Sequence, residues 1–204
     1  MRVEDLRCII ELIRRNECVS VVGVSNVGKS TFLRSLYSRE VKGLCSATES
    51  GTTLMVFVDC LACSPTARAF SELLVHRMID EMEQLGLQGP IYEDILGIHE
   101  RIIKAESDMA IQFLLHETFE ALCLKRPWRF AFVFDHFDRV YQEIEPELLC
   151  LLRVFRDEFD RQLSYVVATD RRLARLDRDR AAAEFREMFE HVWVLALLSG
   201  SDRR

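Results

Sequence analysis

The stretch Gly23-Val24-Ser25-Asn26-Val27-Gly28-Lys29-Ser30-Thr31 decides how this chain is read. It fits G-x-x-x-x-G-K-[ST] in full, the pattern of a loop whose backbone N–H groups cradle phosphates. Its flanks agree. Cys18-Val19-Ser20-Val21-Val22 is short, apolar and rich in β-branched residues, as a strand buried in a parallel sheet is. On the other side Phe32, Leu33, Leu36 and Tyr37 recur at helical spacing. The loop therefore joins a strand to a helix, the setting the motif requires. Gly23 and Gly28 let the backbone approach an anion closely, and Ser25, Asn26 and Val27 between them offer N–H groups. The helix opening near Lys29 and running through Thr31 aims its free N–H groups and positive dipole end at the same anion. Lys29 is expected to neutralise the β- and γ-phosphates, and the Ser30 hydroxyl to ligate Mg²⁺.

The rest of the chain is consistent with one soluble domain. At 204 residues it is long enough for a substantial core, and we expect one P-loop domain over residues 1–204, with an N-terminal helix in 1–16 and a nucleotide-binding core in 17–199. No apolar run approaches the length of a membrane span, and the N-terminal stretch, interrupted by Glu11, has no signal-peptide core; a cytoplasmic address is expected. The net charge of −6 argues against a general nucleic-acid binder but leaves room for a local basic patch. Seven cysteines, an odd number without an export signal, are expected to be free thiols. Cys60 and Cys63 form a lone C-x-x-C with no second pair of ligands for zinc, and read as core or loop thiols.

In order, residues 3–15 read as an amphipathic helix with Leu6, Ile9, Ile10 and Ile13 on one face, broken at Asn16-Glu17. Residues 38–53 are polar, hold Gly43 and Gly51, and read as a mobile loop. A second strand is expected over 54–60. Ser64-Pro65 should start a helix marked by Phe70, Leu74, Met78 and Met82 and ended by Gly86. Ile91, Ile95, Ile98 and Ile102 form another stripe. Ser107 is suited to cap the next helix, with Ile111, Leu115, Phe119 and Leu122, which Lys125-Arg126-Pro127 stops. Further strands are read over 129–135, 163–169 and 192–197, with a helix opened by Pro146 between the first two. Residues 171–190, dense in both charges, read as a solvated helical face. Strands alternating with helices imply an α/β three-layer sandwich whose mainly parallel sheet is covered on both faces. In such sheets ligands bind at the carboxyl ends of the strands. The phosphate loop, Asp135 with Asp138, and Thr169 with Arg171 all fall there.

Asp135 follows directly on the apolar run Phe130-Ala131-Phe132-Val133-Phe134, where a strand's last residue is placed to face a phosphate. Mg²⁺ keeps most of its waters, so one carboxylate acting through water together with Ser30 can suffice. Hydrolysis further needs a group that orients or activates water. His136 and Asp138 are the candidates, and Asp138 is preferred, because an isolated His is more often structural.

These three segments, Gly23 to Thr31, Phe132-Val133-Phe134-Asp135-His136-Phe137-Asp138 and Val166-Val167-Ala168-Thr169-Asp170-Arg171, resemble the Walker A, Walker B and sensor 1 elements of the STAND ATPases and the related AAA+ class. The D-x-hydrophobic-D form of Walker B is similar to that of NACHT-type modules. The resemblance implies ATP or ADP as ligand and a strand order 5-1-4-3-2. It also implies Thr169 near the nucleotide and Arg171 as a reader of the γ-phosphate. It further implies a switch in which ATP favours self-association, or engagement of an effector or lid-bearing partner. A helical lid and winged helix follow this core in the family, and the chain ends about where that lid would start. The Glu that many ATPases carry after the metal-binding Asp is His136 here, which implies slow hydrolysis. Three other readings compete: an AAA+-type ATPase working on DNA, a GTPase, and a degenerate scaffold. The loop's Asn-Val-Gly-Lys-Ser also resembles small bacterial-type GTPases, but the guanine-reading N-K-x-D is missing.

Overall fold

A computed structural model of the chain describes residues 3–46, 52–124, 128–160, 162–176 and 180–196. The elements run α1 (Val3–Arg14), β1 (Val19–Val22), α2 (Lys29–Leu36), α3 (Arg39–Ser46), β2 (Thr52–Asp59), α4 (Ala67–Gln84), α5 (Pro90–Lys104) and α6 (Asp108–Cys123). They continue β3 (Trp128–Asp135), α7 (Phe137–Glu143), α8 (Pro146–Glu158), β4 (Leu163–Thr169), α9 (Arg180–Arg186) and β5 (His191–Val194). The five strands make one sheet in the order β2-β3-β4-β1-β5, every pair parallel. Read from the other edge this is the expected 5-1-4-3-2, with the β4 strand between the strand before the loop and the strand ending in Asp135.

Alternation along the strands sorts side chains onto two cores. On β3, Phe130, Phe132 and Phe134 face one way, with Leu54, Val56 and Val58 of β2 and Tyr165 and Val167 of β4. Helices α4 to α9 close over this face, and the aromatics stack along it: the centroids of Phe132 and Tyr165 lie 6.0 Å apart. Ala131, Val133, Val166, Ala168, Val19 and Val21 face the other way, against Leu6, Ile9, Ile10 and Ile13 of α1 and Phe32, Leu33 and Leu36 of α2. A parallel strand buried on both faces must be apolar throughout, which is why β1, β3 and β4 carry almost no alternating polar residue.

Five expectations about local structure are corrected. Within 38–53, residues Arg39–Ser46 form α3 rather than a loop, held by Lys42, whose Nζ donates to Glu81 Oε2 of α4 at 2.6 Å, and by Val41 in the core. α4 opens after Thr66, whose hydroxyl accepts the Ala69 N–H at 3.3 Å, and not at Ser64-Pro65. Residues 171–190 are not one solvated face: Leu173, Phe185 and Phe189 are buried. α7, which the sequence did not announce, follows β3 at once. The last strand ends at Val194, short of the expected 197, with Leu195 and Ala196 already beyond it, while the stop at residues 125–127 lies outside the described residues. Ser107 caps α6 as read, accepting from Ala110 N at 3.3 Å. Among the described residues no helix is long and apolar enough to cross a membrane.

Candidate nucleotide-binding site

The topology decides where a ligand can sit. From β1 the chain crosses to one edge of the sheet, and it later returns to place β5 on the other side of β1, so β1 marks the switch point. Register then aligns the strand ends. Val22 pairs with Thr169, so the loop after β1 and the residue after β4 leave the sheet side by side, and the Gly23 N–H donates to the Thr169 carbonyl at 3.1 Å. Asp59 pairs with Asp135, so β2 and β3 end in adjacent carboxylates.

The loop has the backbone its glycines are there to permit. Gly28, at the cap of α2, is left-handed with φ 91°, and Asn26 takes φ 66°. Gly23 is needed for space instead: a Cβ there would lie 2.6 Å from Val27 Cγ1 and 3.2 Å from the Leu195 carbonyl oxygen. A cavity of about 370 Å³ opens over the loop. Ser25, Asn26, Gly28, Lys29, Ser30 and Thr31 line it from below, and His136, Asp138 and Asp170 from the tips of β3 and β4. Sequence-predicted residues from two distant segments therefore share one cavity. Gly23 and Val27 shape the loop beneath it.

The other predicted residues, Asp135, Thr169 and Arg171, are not among those that line it. Asp135 is 1% exposed. Its Oδ1 accepts the His136 N–H at 3.0 Å, while its Oδ2 is buried without a hydrogen-bond partner, at 3.6 Å from His136 Nδ1. A buried carboxylate oxygen without a hydrogen bond costs energy and calls for a cation or water. No cluster of three or more His, Cys, Asp or Glu among the described residues can hold a metal unaided. Mg²⁺, where it accompanies a nucleotide, is held chiefly by phosphate oxygens, waters and one or two protein oxygens. Thr169 is buried and donates its hydroxyl to the Arg171 carbonyl at 2.7 Å; neither residue lines the cavity.

His136 takes the left-handed conformation, φ 53° and ψ 40°, as it caps α7, and its Nδ1 lies 3.1 Å from Asp59 Oδ1. Asp138 Oδ1 accepts the Asp170 N–H at 2.8 Å. Burial pushes the Asp138 carboxyl above its ordinary value, partly offset by that hydrogen bond. Lys29 is 9% exposed, and its ammonium donates to Gly23 O at 2.6 Å, to Val24 O at 3.3 Å and to Asp170 Oδ1 at 2.5 Å. The Lys29 hydrogen bond holds Asp170 below the usual carboxylate range. Neither Asp59 nor Asp170 has a role at the site in the sequence reading, although Asp59 closes its strand in the Val-Asp-Cys form that suits the family resemblance and Asp170 lies within the sensor-like Thr169-Asp170-Arg171. A D-x-x-G does occur, at Asp94-Ile95-Leu96-Gly97, but within α5 and not at a strand end, so it is no GTPase switch.

No protein-family pattern matches this sequence, and no curated protein does either. Solved structures do. The ORC2 protein of Aeropyrum pernix, in its ADPNP–ADP complexes, superimposes with a TM-score of 0.66 at 13% identity over 96% of this chain and 48% of its own. The A. pernix ORC1 protein in complex with DNA gives 0.59 at 16% identity over 98% of this chain and 46% of its own. A Walker-type ATPase of Pyrococcus abyssi gives 0.53 at 15% identity over 99% of this chain and 55% of its own. The chain spans about half the length of the structures it resembles. At these identities the likeness concerns architecture alone, and the chain has the α/β fold of the AAA+ P-loop NTPases.

Proposed function

We propose that this chain is an Mg-ATP-binding ATPase module of the STAND type that couples nucleotide state to assembly and hydrolyses ATP slowly. The observation that carries this reading is the single cavity shared by Lys29 and Ser30 of the loop with His136, Asp138 and Asp170 from the neighbouring strand tips. Loop amides and the α2 N-terminus take the phosphates, and Lys29 adds charge to the terminal ones. Ser30 and Asp135 hold Mg²⁺, which supplies charge neutralisation on the phosphates. Asp138 orients the attacking water, with His136 beside it. No Glu follows Asp135, which is our reason for assigning slow turnover. Thr169 ends β4 beside the loop, two residues before Arg171, and the family resemblance assigns the pair to the nucleotide and its terminal phosphate.

Assembly then follows from differential affinity: ATP shifts it only by as much as ATP and ADP differ in their preference for the two states. The partner is a second copy of the chain or a protein supplying a lid, and the working compartment is the cytoplasm. The test is the solution mass of the chain loaded with Mg-ATP and with Mg-ADP, together with the affinity of each. A larger mass with ATP supports the switch, and equal masses with both nucleotides bound would exclude it. The ORC1–DNA structure favours a second reading, an ATPase that works on DNA. The −6 charge weighs against it. Binding to duplex DNA that weakens steeply with salt would favour this second reading.

A further inference from the structure

We propose that Asp170 is a resident counter-anion of the phosphate loop: a polyphosphate binds by displacing its side chain from Lys29. This rests on the nucleotide-binding reading above and assigns that site an internal competitor.

The Val22–Thr169 register delivers Asp170 to the loop. Both of its oxygens are engaged there. Oδ1 takes Lys29 Nζ at 2.5 Å and Oδ2 takes the Ser25 hydroxyl at 2.8 Å, so one carboxylate bridges the turn of the loop and the start of α2. An ammonium has three protons, and Lys29 spends all three on Gly23 O, Val24 O and Asp170. A phosphate oxygen reaching Lys29 must take one of those places. Two are backbone carbonyls of the loop itself, and the third is an anion that a phosphate repels. Lys29 is buried and needs a counter-charge, and among the described residues Asp170 is the acid within ion-pair distance. The Asp170 side chain is 48% exposed, so it can turn into solvent at little cost once a better anion arrives.

The Asp170 backbone N–H donates to Asp138 Oδ1, so the carboxylate that competes for Lys29 and the preferred water-orienting acid are held on one short segment, and turning the Asp170 side chain into solvent leaves that hydrogen bond in place. A surface ion pair of no consequence would not join the loop lysine, the loop serine and the preferred water-orienting acid through one residue.

The experiment is isothermal titration of the whole chain with inorganic tripolyphosphate, and then with Mg-ATP. Wild type is compared with Asp170→Asn, Asp170→Ser and Lys29→Ala. Removing the charge is expected to tighten tripolyphosphate and ATP about tenfold, the scale of a partly exposed charge pair. Lys29→Ala should lose binding. In wild type, the side-chain carboxyl carbon resonance of Asp170 should shift on tripolyphosphate addition as its contact with Lys29 breaks. Unchanged or weaker affinity in both Asp170 variants, with Lys29→Ala still inactive, overturns the counter-anion and leaves the phosphate loop standing. Normal affinity in Lys29→Ala overturns the loop reading and this proposal with it. An Asp170 carboxyl resonance that ignores tripolyphosphate overturns the displacement.

Discussion

Gly23→Ala probes the loop at its tightest contact. A methyl on Gly23 would lie 2.6 Å from Val27 Cγ1, 3.2 Å from the Leu195 carbonyl oxygen and 3.3 Å from Leu195 Cβ. Leu195 cannot retreat freely, because its N–H donates to Val22 O at 2.7 Å along the β1–β5 pairing. Val27, 7% exposed, must therefore move, and the loop with it. Overpacking of this kind costs about 1–3 kcal/mol. Val27→Ala removes the worst contact while costing about 1–2 kcal/mol on its own, the loss of two buried methyls. The double variant should then recover roughly 1–2 kcal/mol relative to the sum of the singles. Gly28→Ala is the control: nothing lies within 4 Å of its Cβ, yet its φ of +91° costs a side chain about 1–2 kcal/mol, which Val27→Ala cannot return. Urea midpoints and ATP affinity of the singles and doubles read both effects. Wild-type stability and affinity in Gly23→Ala, or no recovery in the double variant, would refute the steric account of the loop.

Two further predictions follow from the same geometry. Asp138→Ala should slow single-turnover ATP hydrolysis more than His136→Ala does, by roughly tenfold or more, as expected for the residue that orients water; the reverse order of rates would transfer that role to His136 and its partner Asp59. Stability should fall in alkali. Burial pushes the Cys123 thiol from an ordinary 9.0 up to about 12, and burial with the Glu81 hydrogen bond pushes Tyr37 well above its ordinary range. Both groups stay neutral in the folded chain while the unfolded chain ionises near pH 9–10. Their contribution is therefore complete below pH 9 and lost as pH climbs toward the folded values. A urea midpoint flat from pH 8 to 11 would contradict this, and Tyr37→Phe should flatten part of the slope.

Which features were legible follows from their range along the chain. The phosphate loop is a local object: nine residues and their flanks specify strand, turn and helix, and the structure has all three. Asp135 was legible because an apolar run must end somewhere, and a carboxylate there has few structural uses. The sheet order came with the family resemblance and not from periodicity. α3 was missed because Arg39–Ser46 carries little apolar signal of its own; its order comes from Val41 in the core and Lys42 on Glu81, contacts a sequence window does not contain. Asp170 went without a role for the same reason. Its partner Lys29 is 141 residues away, and only the β1–β4 register makes them neighbours. Asp59 and His136 are likewise 77 residues apart and joined by the β2–β3 register.

The central claim is that a polyphosphate is held at Lys29. Isothermal titration of Mg-ATP into wild type and Lys29→Ala, with both chains shown to be folded, tests it most directly. The account predicts saturable one-to-one binding in wild type and none in the variant; equal affinity in the two would contradict it.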